Sequence, residues 1–126
     1  MYAVKESSTN QLNKQASLCK CPVTYTLERI GGRWKALILY HLSGKPLRYG
    51  ELKRALPDIT EKMLIQQLKE LEADKLLTRV AQPVVPPHVT YSLTEAGAAL
   101  SPVLKAMAAW GLNYSEDITF NAPVCK

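Results

Sequence analysis

The chain lacks any apolar run approaching the ~20 residues that cross a bilayer, and its opening MYAVKESSTNQLNKQ has no apolar stretch of the kind a secretory signal carries. These absences lead us to expect a cytoplasmic protein with no membrane contact. Cysteine is scarce as well: three residues, an odd number, too few for a disulfide framework and free by default in a reducing compartment. Cys19 and Cys21 form a C-x-C pair, Cys125 is distant, and there are two histidines. A structural zinc site wants four ligands, usually with C-x-x-C spacing, so neither a metal nor another cofactor is expected. Gly31-Gly32 has neither the preceding strand nor the glycine spacing of a dinucleotide loop. With no nucleophile-and-base set or paired carboxylates either, an enzyme is not expected.

What is present suits one modest globular domain, with a hydrophobic fraction of 47%. The net charge of +5 becomes informative once located. Between Arg33 and Lys69 the chain carries Arg33, Lys35, Lys45, Arg48, Lys53, Arg54, Lys62 and Lys69 against Glu51, Asp58 and Glu61. That excess of eight over three equals the whole net charge, so the rest of the chain sums to zero. A positive excess confined to one segment points to a polyanion, most often nucleic acid, with a merely solvated basic face as the alternative.

Residues 1–18 are polar and aperiodic and read as a flexible arm. From Pro22 onward Val23, Leu27 and Ile30 recur at helical spacing until Gly31-Gly32 ends the run; Trp34, Leu37, Ile38 and Leu42 then mark a second helix. Tyr49, Leu52 and Leu56 predict a short third helix stopped at Pro57, because proline disfavours helix in the residue before it. Thr60 can cap the next helix, where Leu64, Leu68 and Leu71 share one buried face. Leu76 to Gln82 and His88 to Leu93 form a two-stranded ribbon around the stiff tip Pro83-Val-Val-Pro-Pro87. Thr94 caps a last helix through Trp110 that Pro102 must bend or split, and Gly97 either weakens its first turn or permits close packing. Residues 19–113 are thus read as the folded domain and 114–126 as a tail. The class is mainly α with a small β-ribbon (α+β).

Two helices joined by a tight turn, the second with a polar outward face, followed by a ribbon, make a winged helix-turn-helix. The basic excess falls on that motif. On the outward face Gln66 can read an adenine edge, and Lys62 and Lys69 guanine or phosphate. Thr60, Ile65 and Gln67 flank them, within reach of a backbone oxygen or a thymine methyl. For each residue alone the bland reading is a solvated helix face.

Cys21-Pro-Val23, Ile30-Gly-Gly-Arg-Trp34, Leu47-Arg-Tyr-Gly-Glu-Leu52, Leu56-Pro-Asp-Ile59, Leu64 to Leu71, Pro86-Pro-His-Val-Thr-Tyr-Ser-Leu-Thr94 and Trp110 occur in this order. In this ordered set the chain resembles the HxlR-type family of bacterial winged-helix transcriptional regulators. The resemblance implies a homodimer, joined through its N- and C-terminal helices, that binds double-stranded DNA and represses or activates nearby genes. It also implies a phosphate anchor at Arg48, whose bland alternative is an ion pair with Glu51. The pattern puts Trp34 in the core with Arg33 and Lys35 in positional roles, and lets His88, with Arg79, bring the wing to a DNA backbone or a narrow minor groove, the bland alternative for His88 being a plain strand residue. The chain departs from the family with Tyr49 in place of Phe, Gln67 in place of Arg, and His88 in place of Arg or Lys. A winged helix used for protein contacts alone is the competing class; the basic excess argues against it.

Cys21 matches the family's cysteine ahead of the first helix, which some members use to sense oxidants, quinones or aldehydes. The helix start and Lys20 favour its thiolate. Two readings stand for it: a thiol sensor for a small oxidant or electrophile, with Cys125 as a partner across subunits, or an inert thiol packed at an interface. A Cys19–Cys21 disulfide would close a small, strained ring.

Overall fold

The computed structural model describes residues 21–86 and 88–116. The arm, Cys19, Cys125 and all but the start of the tail lie outside the described residues. The chain divides after Ile30, and the two parts are taken in turn.

The first part contains α1 (Pro22–Ile30). Pro22 opens it, at a position whose amide hydrogen has no intrahelical partner to lose, and the Tyr25 amide donates to the Cys21 carbonyl at 3.0 Å. Arg29 lies 3.8 Å over the Tyr25 ring. Val23, Tyr25 and Leu27 are exposed.

The second part runs α2 (Lys35–Leu42), β1 (Leu47–Arg48), α3 (Tyr49–Ala55), α4 (Glu61–Ala73), β2 (Leu77–Gln82), β3 (His88–Leu93), α5 (Glu95–Ala99) and α6 (Ser101–Tyr114). Its core is aliphatic: Ile38 and Leu39 of α2, Leu52 of α3, and Leu64, Leu68 and Leu71 of α4 are buried, with Leu104 of α6 among them. Each such side chain contributes about 1.5–3 kcal/mol by leaving water.

The expected ribbon is one strand short. β3 is the centre of a three-stranded antiparallel sheet in the order β1-β3-β2. Leu47 and Arg48 pair with Tyr91 and Thr90, while Leu77 through Gln82 pair with Leu93 back through His88. Pro102 splits the last helix into α5 and α6 and lies in the first turn of the second piece. α6 continues through Tyr114, so the first residue assigned to the tail is helical. Trp34, expected in the core, is half-buried at the start of α2 with the Arg33 guanidinium 4.5 Å from its ring.

Thr94 joins the end of α4 to the start of α5. Its hydroxyl accepts from the Gly97 amide at 3.0 Å and donates to the Lys75 carbonyl at 2.7 Å. Lys75 takes a left-handed conformation, φ 62, as residues just past a helix end often do. Gly97 is buried, and a Cβ there would collide with the Leu76 carbonyl, which favours the close-packing role over a mere weakness in the helix.

Candidate nucleic-acid interface

The tight turn before α4 ends at Thr60, whose hydroxyl accepts from the Met63 amide at 3.1 Å. That bond satisfies one of the helix's orphan donors and leaves the Thr60 hydroxyl hydrogen for an outside acceptor. Because Leu64, Leu68 and Leu71 point inward, Lys62, Gln66 and Lys69 face outward and are exposed. Ile65 is 44% exposed. Gln67, half-buried, donates from Nε2 to the Met63 sulfur at 3.4 Å. The six α4 candidates thus share one helix, with Gln67 the least available.

Gln66 is not loose. Its Nε2 donates to Glu70 Oε2 at 3.1 Å, and Glu70 Oε1 receives the Lys35 ammonium at 2.7 Å. Lys35, at the start of α2, is the more buried partner. Its ammonium first, then the Gln66 amide, hold the Glu70 carboxyl below the usual carboxylate range.

Arg48 precedes α3, and its backbone amide donates to Glu51 Oε1 at 2.8 Å. Glu51, the ion-pair partner in the bland alternative for Arg48, takes this backbone contact, which also lowers the Glu51 pKa, while the Arg48 side chain stays exposed. Arg48, Arg54 and His88 line one open groove of about 780 Å³, together with Tyr49, Glu51 and Val89. The strand pairing Arg48↔Thr90 explains the meeting of Arg48 with the wing. Arg54, which in the sequence counts only toward the basic excess, reaches this groove from the last turn of α3. A second groove, about 510 Å³, separates α4 from the wing and is lined by Ile65, Lys69, Glu72, Arg79 and Tyr91. Arg79 and Lys69 are thereby brought together.

Tyr49 lines both grooves. Its hydroxyl is shut from solvent with no well-formed hydrogen bond; burial, and then the nearby Glu61 carboxylate, raise its pKa. Among the described residues no group of three or more His, Cys, Asp or Glu is placed to hold a metal, and no helix is long and apolar enough to cross a membrane.

A tight helical turn, an outward polar helix and a wing flanked by basic grooves are the parts of a DNA-reading module. The family model described as HxlR-like helix-turn-helix matches residues 29–119. The chain belongs to that family. The HTH-type transcriptional regulator YkvN of Bacillus subtilis is 51% identical over 97 residues, covering 77% of this chain and 82% of YkvN. Among solved structures, the redox regulator HypR in its oxidized form aligns with a TM-score of 0.72 at 45% identity, covering 78% of this chain and 100% of HypR. The reduced form of the transcriptional regulator YodB from B. subtilis aligns with a TM-score of 0.67 at 37% identity, covering 79% and 98%. This HxlR-like chain is accordingly a DNA-binding transcriptional regulator and not an enzyme.

In the other part of this family member, Cys21 sits at the start of α1 and is exposed. Its thiol pKa is lowered, chiefly by the backbone amide of Thr24, then by that of Val23, with the Thr24 side chain adding to them. Those amides are donors that a helix start leaves unpaired.

Proposed function

We propose that the protein regulates transcription in the cytoplasm by binding a palindromic operator as a homodimer. Gln66, Lys62, Lys69 and Ile65 meet the base edges, with Gln67 and Thr60 at their margin. Arg48 and His88 hold phosphates, and modification of the Cys21 thiol by an oxidant or electrophile controls release. The observation that carries this reading is the exposed polar face of α4, flanked by two grooves that bring Arg48 to His88 and Lys69 to Arg79. Recognition helices of two subunits would meet successive major grooves about 34 Å apart.

Support for the homodimer comes from α6, where Val103, Met107, Trp110 and Tyr114 recur at helical spacing and are all exposed, Trp110 at 66%. Trp110 and Tyr114 stack with ring centroids 5.3 Å apart. A water-facing apolar stripe of this kind is the usual mark of an association surface. Support for thiol control comes from the lowered Cys21 pKa and from the likeness to the redox regulator HypR and to YodB, whose structure is also known after diamide treatment.

Footprinting on the gene's own upstream region tests the reading. Gln66→Ala should relax sequence choice, and Arg48→Ala should weaken binding to specific and random DNA alike. If both changes act equally on the two kinds of DNA, the assigned roles are wrong. Diamide should release the wild-type protein but not Cys21→Ser; equal release removes Cys21 as the sensor.

A further inference from the structure

Glu70 is an odd residue to find on a DNA-reading helix, one turn beyond Gln66, since a carboxylate there repels phosphate. Two contacts explain its presence. An ionised carboxylate has no hydrogen to donate, so the atom of the Gln66 amide that meets it must be Nε2 and not Oε1. The contact at 3.1 Å therefore fixes which way round the amide lies, a choice that a free glutamine leaves open. Nε2 carries two hydrogens, so one N–H and the Oε1 acceptor stay unused. That donor and acceptor pair is what an adenine presents N7 and N6 to in the major groove.

The carboxylate is itself held. Lys35 binds Glu70 Oε1 at 2.7 Å, with a side chain 13% exposed against 42% for Glu70. Lys35 belongs to α2, the helix behind the reading helix, and so ties the glutamate to the body of the domain. The pair also sets the charge: the ammonium cancels the carboxylate, so phosphate meets a neutral pair instead of a negative charge.

We propose that Glu70, anchored by Lys35, is a positioning residue that determines base choice, holding the Gln66 amide for adenine without touching DNA itself. This rests on the reading of Gln66 as a base-contacting residue. Freed from Glu70, the amide turns over at little cost and also suits bases that present other donor and acceptor patterns. Preference is lost while affinity for DNA in general is kept.

The experiment is selection from a random-sequence duplex library with the full chain, followed by binding to selected duplexes with single base-pair changes. Wild type should discriminate about 10-fold at one adenine in each half-site, and Gln66→Ala should abolish this. Glu70→Ala should abolish most of it at the same base pair, leave random-DNA affinity equal or higher, and add nothing when combined with Gln66→Ala. Lys35→Met, which keeps the buried stem and removes the anchor, should weaken the same preference in part. Thermal melting identifies any variant that fails to fold, and the other then decides. Glu70 and Lys35 variants that keep the wild-type preference while Gln66→Ala loses it would overturn the positioning role alone. An unchanged preference in Gln66→Ala would overturn it together with the base-reading assignment, whereas failure of the wild type to bind any duplex would refute the wider reading.

Discussion

Arg48→Ala is the change whose consequence can be worked furthest. The Arg48 backbone is secured by Glu51, not by its own guanidinium, which is exposed at the mouth of the groove it shares with Arg54 and His88. Truncation should leave the fold intact and, in the proposed homodimer, remove one phosphate contact per subunit. Counterion release gives a log-log salt slope near −0.9 per neutralised phosphate, so a dimer losing two contacts should have a slope shallower by about 1.8. Over a fourfold rise in salt that difference amounts to about 12-fold, so the gap between wild type and variant should narrow by about that factor between about 50 and 200 mM. Fluorescence anisotropy with a labelled operator duplex across a salt series measures both slopes. Parallel lines with a constant offset would mean that Arg48 supports the structure or a base contact and holds no phosphate.

Gly97→Ala should lower stability by about 1–3 kcal/mol in urea melts despite alanine's better helix propensity, because the new methyl meets the immobile Leu76 carbonyl. Tyr49→Phe should be neutral or stabilising by up to about 1 kcal/mol, since it deletes a buried hydroxyl without a good partner; a clear loss would expose a hidden bond to that oxygen. Burial lowers the His41 pKa, so the native state stays neutral while the unfolded chain takes up a proton near pH ~6.5. Stability should therefore fall as pH drops below that value, and His41→Leu should flatten that slope in urea titrations at about pH 7.5 and about pH 5.5. Alkylation of Cys21 by iodoacetamide should inflect at a lower pH in the folded protein than in urea, where the α1 amides no longer favour the thiolate; matching profiles would remove the basis for its reactivity.

Local signals made much of this fold legible. The spacing of Leu64, Leu68 and Leu71, the caps at Thr60 and Thr94, and the break at Pro102 each depend on neighbours within one or two turns, and each takes the expected place. β1 escaped notice because two residues carry no periodicity; Leu47 and Arg48 become a strand only through Tyr91 and Thr90, far along the chain. The family pattern puts Trp34 in the core, but its indole is half-buried and shared with Arg33. Of the candidate site, the α4 face was readable. The Gln66–Glu70 contact has the i,i+4 spacing that helix rules anticipate, whereas its anchor Lys35 comes from another helix and needed the tertiary structure.

The short pairing of Leu47 and Arg48 with β3 has a consequence for how such a protein is tuned. It stitches the first helix of the reading motif to the wing, while Thr94 fastens the end of α4 to α5. A shift of one reading element against the other would break strand or side-chain bonds, so in the proposed homodimer each subunit would meet DNA with a fixed gauge. A chemical signal would then find little to turn inside that body. In the proposed homodimer it would act on how one gauge is set against its twin, as the distance between two rigid jaws is set by the joint that carries them.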